Sequence, residues 1–287
     1  SPLCARPEKI CYPDRITFDK GNISSAISIS GFIRGFLHGG FMTEWIALSS
    51  LNHAEYYYQK RDDNHHASGQ MTVPVTEDEI FKLVPHYVLA FTEGDYGLYP
   101  VALLGTEQNQ NLYLDPNNSW LTSYVPFRLQ TYPFALSVND EGDEEIIISK
   151  NFLSERDGYR LFQSNGELSE ALINIKTALT SHQKNVRFAR YASQMLDGAG
   201  VLSSWKLSVG VGHSPKNIDG LYRVDEQALN ALDDYKYAQL KLGGPMTFAY
   251  AQMFSEANVE KLTELARLRS GWFGVDSLNM SGPRRLH

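Results

Sequence analysis

Histidine carries most acid–base and metal chemistry near neutral pH, and the chain has eight. His65 and His66 stand in Arg61–Gly69 beside Asp62 and Asp63, so two imidazoles and two carboxylates are sequence neighbours. Adjacent ligands in one loop converge poorly on a single ion, and no HxH or HxxxH spacing backs them. The stretch therefore reads as a solvated polar loop, and no metal is expected. His86 opens an apolar run and reads as a partly buried, hydrogen-bonded histidine, whereas His53, His182 and His213 each stand in polar surroundings. None has a nucleophile and an orienting carboxylate close to it in sequence.

A serine nucleophile would need a sharp GxSxG turn, and the nearest spellings, Val209-Gly210-Val211-Gly212-His213-Ser214 and Ser30-Gly31, do not match. The glycines of 209–213 complete neither GxGxxG nor GxxxxGK[ST], so they read as a turn rather than a phosphate cradle. Asp233-Asp234 and the acids of 140–145 fall at helix starts and turns, where carboxylates act as caps. No catalytic residue is nominated, and no cofactor is expected.

Two stretches are richer. Trp120–Phe134 packs Trp120, Tyr124, Phe127, Arg128, Tyr132 and Phe134 around Pro126 and Pro133. Such a cluster suits a ligand or peptide groove, because aromatics offer area at low entropy cost and Arg forks onto carboxylates. It equally suits a sheet-to-helix corner. Asp219–Leu232 runs from a turn through a strand into a helix, with Asp225 placed as N-cap three residues before Ala228. Arg223 is the one charge inside its apolar strand, and alternation puts it on the face of Leu221. Drawn inward, it needs Asp219, Asp225 or a bound anion as partner. Trp120, Tyr124, Arg128, Tyr132, Tyr222 and Arg223 are the ligand-binding candidates.

The elements that must position these residues follow from periodicity. His86–Thr92, Tyr99–Leu104 and Asn111–Asp115 read as strands of an antiparallel meander. A short helix is expected over 123–131, then strands at Phe134–Val138 and Glu145–Ser149 across a turn at 139–143, all five strands in one sheet. Leu168, Leu172, Ile175, Leu179, Val186, Tyr191 and Met195 recur mainly three or four apart, the mark of a long helix ended by Gly198 and Gly200. Strands at Trp205–Val211 and Leu221–Val224 follow, with helices at Glu226–Leu232, Tyr235–Leu242, Met246–Phe254 and Val259–Leu268. The expected fold is α+β, a mainly antiparallel sheet of five to seven strands with one long helix and a helical C-terminal third.

Composition narrows the partners. In 287 residues, 43% hydrophobic and 21% charged, 33 acids exceed 26 bases for a net charge of −7, which disfavours nucleic acid and anionic membranes as partners. No apolar run approaches the roughly 20 residues needed to span a bilayer. Both cysteines, Cys4 and Cys11, lie in residues 1–41, which carry a net +2 and precede Met42. The apolar run from Ile23 to Phe41 is interrupted by Arg34 and His38 and makes a poor signal peptide, so a cytoplasmic location is expected. Residues 1–41 are read as a non-native or disordered extension, 42–269 as one domain and 270–287 as a flexible tail.

The chain resembles the SapC family of bacterial proteins through Ala102-Leu103-Leu104-Gly105, Asn111-Leu112, Trp120, Tyr124-Val125-Pro126, Tyr132-Pro133-Phe134 and the run Gly220–Leu232. The likeness spans about Thr43 to Leu268 and makes Met42-Thr43-Glu44-Trp45 the natural start. It departs at Gln130-Thr131, where the family pattern has two arginines, and at His86-Tyr87-Val88, where it has Tyr-Pro. The resemblance implies a non-catalytic accessory or binding protein linked to surface-layer or nutrient-uptake systems, with a peptide, small molecule or envelope protein as partner. The alternative is an enzyme acting on a peptide or small metabolite in a groove near Trp120 and Arg223. Convergence of His86, Arg128, Arg223 and a carboxylate would favour the enzyme, and an exposed apolar patch would favour binding.

Overall fold

The computed structural model describes residues 44–139, 142–211 and 214–279. The 1–41 extension with its two cysteines, Met42-Thr43, the tip of the 139–143 turn, Gly212-His213 and the tail past Asn279 lie outside the described residues.

The chain opens with β1 (Trp45–Ala47), the helical turn α1 (Ser50–His53), β2 (Tyr57–Tyr58), β3 (Thr72–Pro74) and α2 (Ile80–Leu83). The hairpin of β4 (Val88–Gly94) and β5 (Gly97–Leu103) leads to α3 (Phe127–Gln130) and a second hairpin, β6 (Phe134–Val138) and β7 (Glu144–Ser149). After β8 (Leu153–Ser154) and β9 (Tyr159–Arg160) comes the long α4 (Glu170–Gly198). A third hairpin, β10 (Leu202–Val211) and β11 (Ser214–Val224), precedes α5 (Glu226–Asn230), α6 (Asp234–Leu242), α7 (Pro245–Ser255) and α8 (Val259–Asn279).

The fold is α+β, and its strands pair antiparallel in three sheets ordered β10-β11-β4-β5-β3, β1-β7-β6 and β8-β2-β9. This corrects the single meander. The β4–β5 hairpin pairs through Tyr222↔Phe91 with a hairpin far downstream, while β6–β7 pairs with β1 through Ile46↔Ile148. Residues 111–115 form no ladder. Asn111 instead holds that segment by donating to the Ala67 carbonyl at 2.9 Å and accepting from Tyr113 N, leaving Leu112, Tyr113 and Leu114 all buried. The helix expected over 123–131 shrinks to α3 because Pro126 lacks an N–H and keeps Val125 out of the helical region.

Ser169 caps α4 by accepting from Leu172 N, and Gly200 (φ 75°) closes its C-terminus with the Val201 N–H bonding Leu196 O. Its buried stripe is Leu172, Leu179, His182, Val186, Ala189, Ala192, Ser193 and Leu196. The helix bridges two cores. Its first half packs with Phe134, Ile146 and Ile148, and its second half with the β4–β5 hairpin and α7. His182 falls between them. Met195, expected on the stripe, packs partly buried against the core, but Tyr191 is exposed, because Ala192 and Ser193 allow the close approach to β5 and α7 that a tyrosine would block. At the C-terminus α8 runs on to Asn279, through Gly271 and Gly274, so the first half of the stretch expected as a flexible tail is helical.

Candidate functional site

The Trp120–Phe134 stretch is held by a continuous hydrogen-bond network. Trp120 Nε1 donates to Tyr87 Oη at 2.7 Å, and the Tyr87 hydroxyl donates to the Tyr124 carbonyl at 2.5 Å. Burial pushes the Tyr87 phenol up to about 12, so it stays a donor at neutral pH. The Tyr124 hydroxyl donates to Glu79 Oε2 at 3.1 Å, and the same oxygen accepts from the Phe127 N–H at 2.9 Å. Glu79 thus caps the first turn of α3 from another part of the chain, doing what Pro126 cannot. It is buried at 2% exposure, and burial raises its carboxyl to about 7 although the Phe127 and Tyr124 donors pull the other way.

On the far side of Phe127 stands His182, its ring 4.6 Å from the phenyl ring. At 4% exposure it makes no hydrogen bond through either nitrogen, and burial lowers it to about 4. This corrects the polar setting expected of it. Arg128 is half-buried beside this group, and burial brings its guanidinium down to about 10.

The other nominated residues lie elsewhere. Tyr132 stacks on His66 at 4.3 Å with the rings 3° from parallel, and meets Trp45 and Phe152 edge-on. His66 is therefore packed rather than solvated, with Nε2 3.0 Å from the Leu129 carbonyl, and burial lowers it to about 4. Tyr222 is half-buried against the core of the β4–β5 hairpin and α7. Arg223 is 45% exposed and pairs with Glu256 at 3.4 Å, its guanidinium 5.9 Å from the Trp205 ring. Alternation places it over that indole through Ser203↔Arg223 and Trp205↔Leu221, yet its charged head reaches solvent and a partner distant in sequence, neither Asp219 nor Asp225. Asp225 instead caps α5, accepting from Ala228 N at 3.0 Å, as expected. His86 meets Ser123 at 3.0 Å. His86 and Arg223 thus go to different partners, Ser123 and Glu256, and do not share a carboxylate. Among the described residues, no group of three or more His, Cys, Asp or Glu side chains could hold a metal ion.

Sequence reasoning did not nominate Glu79, Tyr87 or His182. The signal for His182 was present: it lies three residues after Leu179 and four before Val186, on the apolar stripe. Glu79 stood in Glu77-Asp78-Glu79, which resembles a solvated helix start.

A different surface belongs to the C-terminal helices. Phe254 is 70% exposed on α7, stacked with Tyr250 at 6.5 Å, and Tyr250 hydrogen-bonds Tyr237 of α6. Tyr235 and Leu242 of α6 are also largely exposed.

The SapC family model matches residues 48–262, which take in the Glu79 network, the His182 face and the aromatic helices. The chain belongs to the SapC family. No curated protein and no solved structure matches this SapC-family chain. Among the described residues no helix is long and apolar enough to cross a membrane.

Proposed function

We propose that this SapC-family chain is a non-catalytic binding protein that docks a protein of the envelope or nutrient-uptake machinery on the aromatic face of α6 and α7. The observation that carries the reading is the exposed set Tyr237, Tyr250 and Phe254, large rings left in water on two packed helices. Tyrosine and phenylalanine anchor interfaces because they bury much area for few rotors. The polar side chains that hold the Trp120–Phe134 stretch from outside it support the same reading. Tyr87 and Glu79 spend their hydrogen bonds on fixing a turn and capping α3, a structural use of polar groups. An intracellular location with recruitment to an envelope partner is part of the proposal.

The test is a Tyr250→Ser/Phe254→Ser variant in the native host. Both residues are exposed enough that folding should survive, checked by an unchanged melting temperature. Chemical cross-linking and purification should recover a partner with the wild type and lose it with the variant. Equal recovery from both would remove the face from the interaction.

A further inference from the structure

The outer face of α4 carries charge of the opposite sign to the rest of the chain. From Ala171 to Leu196 the helix holds Lys176, Lys184, Arg187 and Arg190 and no acid, in a chain whose net charge is −7. Ile173, Lys176, Thr180, Lys184, Arg187 and Tyr191 succeed one another at intervals of three and four, so they share one face over about 27 Å. That face lies opposite His182 and Ala189 of the buried stripe. Ile173 and Tyr191, at its two ends, are exposed apolar side chains.

At the Ile173 end the face opens into a groove of about 360 Å³, lined by the apolar Leu168 and Ile173 and by Lys176, Thr180, Ser181 and Lys184. Lys176 and Lys184 make no ion pair among the described residues. The chain itself shows what such a face takes. Glu144, at the start of β7, accepts from Thr180 Oγ1 at 3.1 Å and stands 3.7 Å from Arg187 Nη2. One carboxylate thus occupies one edge of the face, and Lys176, Ser181 and Lys184 offer donors of the same kind to further ones.

The charge around the face selects among anionic partners. A nucleic acid or an anionic membrane extends far beyond 27 Å and would meet the net negative field of the whole chain. A short acidic segment meets only the cations. About eight extended residues cover 27 Å, and an apolar side chain among them fits between Leu168 and Ile173. We propose that the outer face of α4 from Ile173 to Tyr191 is a docking surface for an acidic protein segment carrying an apolar anchor. It is a second surface, on a different helix from Tyr237, Tyr250 and Phe254, and does not depend on the α6–α7 reading.

Selection of displayed random twelve-residue peptides on the immobilised full chain tests this. Enriched sequences should place acids around an apolar residue, and a fluorescein-labelled copy of one should bind in anisotropy titrations and weaken as salt rises. Lys176→Glu/Lys184→Glu should reduce its affinity about tenfold or more, since two attractions become repulsions. Neither lysine is in an ion pair among the described residues, so the melting temperature of this variant should stay close to the wild type's. Tyr250→Ser/Phe254→Ser should bind the peptide like the wild type, which keeps the two surfaces apart. No enrichment of acidic sequences, equal binding by Lys176→Glu/Lys184→Glu, or reversal-sensitive sedimentation with phosphatidylserine vesicles in place of peptide binding would overturn the proposal.

Discussion

Replacing Glu79 with Gln should leave stability at pH 4 nearly unchanged and raise it above pH 7. The folded carboxyl titrates near 7 and the unfolded one near its ordinary 4.5. Between those values the folded chain holds a proton that the unfolded chain releases, so stability falls as pH rises through the window and levels off above it. A separation of two to three units at about 1.4 kcal/mol each makes the loss about 3 kcal/mol. Gln stays neutral throughout and can keep the present bonds, since one oxygen already accepts from both Phe127 N and Tyr124 Oη. Its amide N–H can turn to Thr76 Oγ1, which now lies 3.4 Å from the other carboxylate oxygen. Urea unfolding of both proteins from pH 4 to 8 isolates the effect, because other titrations cancel in the difference. The difference should grow from near zero to about 3 kcal/mol in favour of Gln. A constant offset, or a variant weaker at pH 8, would show that the two donors outweigh burial and that Glu79 is an ordinary carboxylate.

His182 works in the opposite sense: burial holds it near 4, so the stability it leaves intact above pH 6.5 is lost as pH falls toward 4, and His182→Phe should flatten that acid limb by about 3 kcal/mol in denaturant titrations. Arg223→Leu should cost at most about 1 kcal/mol in the same assay, because both partners of its ion pair are partly solvated. Gly105→Ala should cost about 2–3 kcal/mol, since an added Cβ would collide with the Gln110 backbone oxygen, an atom that cannot swing aside. A chain beginning at Met42 keeps β1 and its pairing with β7, so its melting temperature should stay within a few degrees of the full chain's.

Local order was legible in the residues. Asp225 declared itself a cap by its spacing to Ala228, and the β6 hairpin and the long helix followed from period alone. Long-range pairing was not, because nothing in Val88–Gly94 says that its edge partner lies beyond residue 213 rather than in the next hairpin. The candidate site was half legible. Trp120, Tyr124 and Arg128 stood out as a cluster, but their neighbours Tyr87, Glu79 and His182 come from three distant segments and are polar residues serving inside a core. Arg223 shows how alternation is right about a face and wrong about depth: a long side chain on an inward face can still carry its charge to the rim.

The docking claim is tested most directly by placing a photo-cross-linking amino acid at Phe254 and irradiating cells of the native host, with the same probe at exposed Leu51 as control. The account predicts one discrete adduct from position 254 and none of that size from position 51. Absence of an adduct at 254, or the same adduct from both positions, would contradict it.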